Sequence, residues 1–332
     1  MQQINNELTT PKKVYILSAY LKDSSNYAYK YLKECASSKV NLSYELCESP
    51  KDADLIMFVE HHPGNDPYFF KVLKHPVYKK YRKKCVLYHD NDRNLTFLPT
   101  ISPSIESSKY NLKLHYPFPY LTQLSINPYL TEGNNQKPYL FSFVGTSKTS
   151  VVRKQIFELK SNNAFLLDTF DKNSWELKGK EKERYFKTYA EVLSQSLFIL
   201  CPRGIGPSTY RLYEAMRLGI APVIVSDEWL APKGPDWDTF SIRITENRVK
   251  DIPKILNERK SEAFIMGQRA KENWEAHFSR DNVFASLLEG ANYLNEQQKQ
   301  LNWMHYILEG LRFFEPFHFR NLLRWKKNSM LK

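Results

Sequence analysis

The residue types and spacings best suited to chemistry lie in one stretch, Leu200-Cys-Pro-Arg-Gly-Ile-Gly-Pro-Ser-Thr-Tyr-Arg-Leu-Tyr-Glu214. A short apolar run leads into a loop carrying Gly204 and Gly206, and a helix is predicted from Ser208 to Leu218, stopping at Gly219. Glycines let backbone amides approach an anion closely, and a helix start offers unpaired N–H donors with partial positive charge. Arg203 can grip phosphate oxygens in bidentate fashion. Arg211 and Glu214 stand three apart and share a helix face, which suits a diphosphate and a ribose diol respectively. The plainer reading is a surface ion pair beside a turn shaped by glycine. Cys201 lacks a paired base and is expected to be a small packed residue.

Other candidates follow short apolar runs in the first half of the chain. Glu60 comes directly after Leu55-Ile-Met-Phe-Val59, with His61 and His62 behind it, and Asp90 and Asp92 follow Cys85-Val-Leu-Tyr88 and His89. A carboxylate at such a strand end can have a raised pKa and act as a general base, and it can equally cap the next element. Glu60 and Asp90 rank first as the base and His89 third. Asp90-Asn-Asp92 also fits a metal-diphosphate clamp, yet Asp52-Ala-Asp54 and Asp236-Trp-Asp238 share that spacing. His61-His62 lacks the spacing of a helical metal pair. The five remaining histidines outside His89 are isolated, and no metal site is expected.

What must position these residues is a pair of α/β units. Short β-forming runs at Val14–Ser18, Asp52–Val59 and Cys85–Tyr88 are separated by polar stretches of helix length, the pattern of a parallel sheet. A second such pattern has strands at Tyr139–Val144, Phe165–Leu167, Leu197–Leu200 and Ala221–Val225, with helices at Val151–Lys160 and Glu181–Ser196. Between them, Leu121–Pro138, with Asn127-Pro128, Gly133, Asn134 and Asn135, reads as the connection. Helices are predicted over Ser261–Ala276 and Asp281–Leu311. The expected division is 1–130 and 139–295 as two α/β domains, with 296–332 as a helical, basic and aromatic tail. Two such units enclose a cleft, and ligands of open parallel sheets sit at the carboxyl ends of strands.

The 200–224 stretch resembles the exostosin-type glycosyltransferase family. The resemblance continues through Val225-Ser-Asp-Glu-Trp-Leu-Ala-Pro232 and Asp236-Trp-Asp-Thr-Phe-Ser-Ile242, and begins at Leu140-Phe-Ser-Phe-Val-Gly145 with Arg153 beyond it. It implies a GT-B fold, two Rossmann-like domains facing a cleft, with 1–130 as the acceptor-side domain and 139–295 as the nucleotide-sugar-binding domain. Arg203, Gly204, Ser208 and Arg211 would then meet the diphosphate, Glu214 the ribose or sugar hydroxyls, and Gly145 and Arg153 the same phosphates from the other loop. It further implies an inverting, metal-independent transfer to a glycan or glycolipid hydroxyl. The expected co-substrate is a UDP-sugar ahead of a GDP-sugar, with no cofactor. Eukaryotic members usually carry an N-terminal membrane anchor, whereas Met1–Lys13 is polar here, which points to a cytoplasmic protein.

Composition sets the outer bounds. The 332 residues carry 48 Lys and Arg against 36 Asp and Glu, a net charge of +12, so anionic partners are favoured. Four scattered cysteines exclude a disulfide scaffold and a zinc-finger framework. No apolar run approaches the roughly 18 residues of a membrane span. Two segments concentrate the charge: Lys71–Lys84 has seven basic residues and no acid, and Arg312–Lys332 has six basic residues against Glu315 alone. The first is expected to be a solvated helix face. In the tail, Leu301, Met304, Leu308 and Leu311 are spaced to pack against a domain surface. The aromatics and cations beyond suit either a peripheral membrane contact at the inner face or a crossing back onto the first domain. A metal-dependent transferase using Asp90 and Asp92, and a non-enzymatic nucleic-acid or membrane binder, are the alternatives; no nucleic-acid partner is expected.

Overall fold

The computed structural model describes residues 10–20, 26–38, 43–61, 66–121, 127–130, 136–171 and 177–330. Gly133, Asn134 and Asn135 of the expected connection, His62 and the polar lead before Thr10 lie outside the described residues.

Two all-parallel sheets organise the chain. The first holds β1 (Lys12–Leu17), β2 (Tyr44–Leu46), β3 (Leu55–Glu60), β4 (Cys85–His89), β5 (Thr100–Ser102) and β6 (His115–Pro117), in the order β2-β1-β3-β4-β5-β6. The second holds β7 (Tyr139–Gly145), β8 (Ala164–Asp168), β9 (Ser196–Pro202), β10 (Ala221–Val225) and β11 (Ile242–Arg243), in the order β11-β10-β9-β7-β8. Central strands β3 and β4 are buried along their whole length, which is why they read as unbroken apolar runs rather than as alternation. Each fully buried Leu, Ile, Val or Phe there contributes roughly 1.5–3 kcal/mol.

Parallel neighbours need crossovers, and helices supply them. In the first half these are α1 (Tyr27–Ser38), α2 (Phe70–Lys74) and α3 (Pro76–Tyr81); in the second, α4 (Val151–Phe157), α5 (Gly179–Ser194) and α6 (Tyr210–Arg217). Then come α7 (Ile252–Glu258), α8 (Ala263–His277), α9 (Val283–Gln297), α10 (Trp303–Leu311) and α11 (Pro316–Met330). Strand order reverses once in each sheet, between β1 and β3 and between β7 and β9. Loops leave to opposite faces at such a point and open a crevice. This is the two-domain GT-B arrangement expected from the sequence, with a helical C-terminal region.

The end of the chain departs from expectation in two ways. The single helix expected over Asp281–Leu311 is broken: the Gln298 side chain donates to the Cys85 carbonyl at 2.8 Å, and Asn302 caps a new helix with His305. Helix α9, placed mostly with the second unit by a boundary at 295, packs on β3, β4, β5 and β6 of the first sheet. Helices α10 and α11 stay on that side. The Tyr68 hydroxyl donates to the His318 carbonyl at 2.7 Å, and Trp325 lies 4.7 Å from Phe70. The helix face expected to pack is turned outward instead, with Met304, Leu308 and Leu311 each more than half exposed. The reason is electrostatic. On the opposite face Glu309 is bound by Arg312 at 3.1 Å, and Arg312 also lies 3.7 Å from Glu106, so the ion network takes the sheltered side.

Candidate functional site

At the second switch point, β7 and β9 end beside one another and two arginines enter the crevice between their loops. Ser150 caps α4 by accepting from the Arg153 amide at 3.4 Å, which fixes Arg153 in the first turn. Its Nε donates to the Arg203 carbonyl at 2.9 Å. Arg211 comes from the first turn of α6 and is 2% exposed. Its Nη2 donates to the Val144 carbonyl at 2.5 Å, and its guanidinium lies over Phe143 at 4.6 Å. The Nε and Nη1 of Arg211 and the Thr149 hydroxyl find no hydrogen-bond partner among the described residues. Burial, and then the charge of Arg211, pull the Arg153 pKa down to about 10. A buried and a half-buried cation in one crevice repel, and Arg211 Nε, Arg211 Nη1 and the Thr149 hydroxyl want partners. An anion answers both demands.

Glycines make the approach possible. A Cβ at Gly145 would stand 3.0 Å from Arg211 Nη2, and one at Gly204 would stand 3.3 Å from Arg153 Nη2. Ser208 is buried, its hydroxyl near that of Tyr213 without a well-formed hydrogen bond. Glu214 is 6% exposed and accepts from the Tyr189 hydroxyl at 2.5 Å. Burial raises its pKa to about 7, while Tyr189 and the Arg211 charge pull the other way. Arg203 is not brought into the cluster: its Nε is bound to Glu246 at 2.7 Å, and its carbonyl, not its guanidinium, serves the site. Cys201 is 1% exposed, and burial pushes its thiol up to about 12, in keeping with a packed residue.

The first half presents a different pair of groups. Glu60 is 0% exposed. Its Oε1 accepts from the Ala19 amide at 2.6 Å, and its Oε2 from Ser18 at 2.6 Å and Asn26 at 3.2 Å. Burial raises its pKa to about 7, with those bonds and the Lys71 charge opposing. Asp90 instead faces a histidine: its Oδ2 lies 2.7 Å from His61 Nδ1, and the two side chains are 2% and 30% exposed. With the carboxylate ionised, Nδ1 holds the proton and Nε2 is an acceptor. Strand register explains the pairing. Glu60 stands beside His89 on neighbouring parallel strands, so His61 and Asp90 are the next rung. His61 stands out in the sequence only as a neighbour of Glu60 and His62; its pairing with Asp90 depends on this register, which the sequence does not display. His89 is sealed, its ring 4.7 Å from Phe69 and its Nε2 2.8 Å from Asn94 Oδ1. Asp92 is exposed while Asp90 is engaged by His61, so the two do not form a clamp. Among the described residues no three His, Cys, Asp or Glu gather as a metal site.

The two halves meet edge to edge. A Cβ at Gly206 would fall 2.1 Å from the Asp92 carbonyl, so only glycine allows the β9–α6 loop to approach the loop after β4. The Tyr120 hydroxyl, 2.8 Å from Ser104, reaches the Ser208 carbonyl at 3.5 Å. Ser107 on one side donates to Glu228 on the other at 2.8 Å. His61 and Asp90 follow β3 and β4 on the first-sheet wall of this junction, and Arg153 and Arg211 follow β7 and β9 on the second-sheet wall.

Known proteins resemble this chain in sequence and in fold. The Exostosin GT47 domain family matches residues 57–259, which takes in both walls. The Exostosin-1 homolog of Caenorhabditis elegans is 30% identical over 136 residues, 37% of this chain and 36% of that protein. The Ribitol-5-phosphate xylosyltransferase 1 of Mus musculus is 23% identical over 182 residues, 49% of this chain and 40% of that protein. The matches therefore span well under half the length of these relatives. Among solved structures, a glycosyltransferase from Rickettsia africae ESF-5 aligns with a TM-score of 0.41 at 10% identity, covering 88% of this chain and 100% of that one.

Proposed function

From a chain that belongs to the exostosin GT47 family, we propose a glycosyltransferase that moves a sugar from a nucleotide-sugar to a glycan or glycolipid hydroxyl, with inversion and without a metal. One observation carries this reading: the Arg211 guanidinium is buried beside that of the half-buried Arg153, and its Nε and Nη1 have no acceptor among the described residues. A diphosphate leaving group develops negative charge as the glycosidic bond breaks, and preorganised cations in a dry site stabilise it most. Arg211 and Arg153 supply the positive charge, and Thr149, Ser208 and the start of α6 supply hydrogen-bond donors. Glu214, held by Tyr189, meets the ribose or sugar hydroxyls.

Inversion puts the base on the opposite wall, where His61 and Asp90 stand. His61 Nε2 takes the proton of the acceptor hydroxyl as its oxygen bonds to the anomeric carbon and the diphosphate departs. Asp90 holds the imidazole in the required tautomer and stabilises the imidazolium that forms. Glu60, bonded on both oxygens, braces this wall: Asn26 binds the Glu60 carboxylate and accepts from the His61 amide at 3.2 Å. The donor is a UDP-sugar ahead of a GDP-sugar, no further cofactor or nucleic acid takes part, and the chain acts on the cytoplasmic side with peripheral membrane contact.

Calorimetry with UDP, GDP and their sugars, with and without EDTA, tests the cradle. Nucleotide should bind in EDTA, and Arg211→Ala should weaken it about 100-fold, as for loss of charged hydrogen bonds. Undiminished binding by Arg211→Ala, or binding only with added metal, defeats the reading. His61→Ala should lower kcat by roughly 10²–10⁴ with donor affinity retained, and Asp90→Asn should follow it. A full-speed His61→Ala enzyme would return the role of base to another group.

A further inference from the structure

Helix α10 turns a wholly apolar face away from the protein. Trp303, Met304, Ile307, Leu308 and Leu311 fall on one side of the helix and are 69%, 54%, 49%, 60% and 55% exposed. Phe314 follows at 78%. The other side is committed: Tyr306 lies 5.4 Å from Arg82, and Glu309 is bound by Arg312. Helix α11 continues the pattern. Phe319 and Leu323 are 46% and 53% exposed, and Arg320, Arg324 and Lys327, one position round the helix, are exposed as well. A contiguous apolar surface this large is uncommon on a monomer in water and marks an interaction site.

What rims that surface identifies the occupant. The sequence carries two acid-poor basic segments, far apart in the chain, and the fold brings them together. Tyr306 of α10 meets Arg82 at the end of Lys71–Lys84, and Trp325 of α11 meets Phe70 at 4.7 Å, at the start of the same segment. In that segment Lys74, Lys79, Lys80 and Lys83 are exposed. The only acids from Trp303 to Lys327 are Glu309 and Glu315, and both are bound by Arg312, at 3.1 and 3.3 Å. An apolar ridge flanked by cations, with its acids turned in, matches the chemistry of an anionic lipid surface. A second copy would bring the same cations face to face, on a chain of net charge +12.

We propose that α10 and α11, with the α2–α3 segment beside them, form a docking face for anionic bilayers. Trp303, Ile307, Leu308 and Leu311 enter the headgroup–acyl boundary, and the cations on either side hold acidic headgroups. No helix among the described residues is long and apolar enough to cross a membrane, so the contact lies on the surface. This deepens the peripheral contact included in the proposal above. Its test uses neither donor nor acceptor, so its failure and that of sugar transfer are read separately.

The experiment is co-sedimentation of the full chain with vesicles, either phosphatidylcholine alone or with roughly one-third phosphatidylglycerol. Binding should be at least about tenfold tighter to the anionic vesicles and should fall at high salt. Ile307→Glu with Leu308→Glu, both at exposed positions, should reduce that binding at least about tenfold. The double variant Arg320→Glu with Arg324→Glu should abolish the preference for phosphatidylglycerol. Circular dichroism on each variant should match the parent. Absence of the parent from the anionic pellet, or unchanged binding by the Ile307 and Leu308 variant, overturns the proposal. So does a parent dimer, seen by sedimentation velocity, that this variant converts to monomer.

Discussion

Two buried charged clusters occupy equivalent places in the two sheets, each at the carboxyl ends of the strands where the order reverses, and they are finished differently. In the first half Glu60 accepts from Ser18, Ala19 and Asn26, and both its oxygens are engaged. In the second half Arg211 spends one N–H on Val144 and keeps Nε and Nη1 without an acceptor among the described residues. Buried polar groups are costly unless paired. The satisfied cluster therefore belongs to the architecture, and the unsatisfied one is shaped for something that arrives. The contrast separates bracing residues from binding residues where burial alone would class them together.

The largest effect on stability should come from the satisfied cluster. Glu60→Ala strands the Ala19 amide, the Ser18 hydroxyl and the Asn26 amide, which should cost about 2–4 kcal/mol by urea denaturation. Arg211→Ala removes a buried cation with two unmade bonds, so its denaturation midpoint should stay near the parent's or rise. Finding the two variants equally destabilised would erase the distinction between the clusters.

That distinction is only half visible in the sequence. The second cluster is legible because most of its parts are local: Cys201-Pro-Arg-Gly204 and Ser208-Thr-Tyr-Arg211 lie within about one loop of each other, while Val144, Gly145, Thr149, Arg153 and Tyr189 come from elsewhere. The first cluster is assembled across β1, β3 and β4, so its logic depends on register. Glu60 and Asp90 look alike as residues after apolar runs, yet one is clasped by the β1–α1 loop and the other faces His61. Short strands such as Thr100–Ser102 and His115–Pro117 were illegible for a related reason, since runs of three residues carry no periodicity. In α10 the apolar spacing was readable, but which side faces the protein was decided by Arg312 finding Glu106 and Glu309.

Acidity should sharpen the comparison next. The folded state holds the Glu60 pKa near 7 against an ordinary 4.5, because burial disfavours its charge more than the bonds restore it. A carboxyl with a raised folded pKa binds its proton more tightly when folded. Its contribution is therefore fully present below pH 4.5 and is lost as pH rises through about 7. The stability gap between parent and Glu60→Ala should narrow from about pH 5 to about pH 8 in denaturation series. Using the gap removes the opposing influence of His115 and His318, whose pKa values burial lowers to about 3 and about 4. A gap that widens with pH would mean that the carboxylate, not the acid, is the form the Glu60 cluster holds best.

The smallest expected effect concerns Arg203, which stands in the glycine loop yet gives its guanidinium to Glu246. Both side chains are partly exposed, at 30% and 20%, so the pair should contribute no more than about 1 kcal/mol. Arg203→Ala keeps the carbonyl that receives Arg153, and the cradle needs only that carbonyl. Donor affinity measured by calorimetry should accordingly change by less than about threefold, against about 100-fold for Arg211→Ala. If the two variants lost affinity alike, the Arg203 side chain would have to leave Glu246 and swing onto the diphosphate. The degree of satisfaction seen without ligand would then no longer tell a binding arginine from a bracing one.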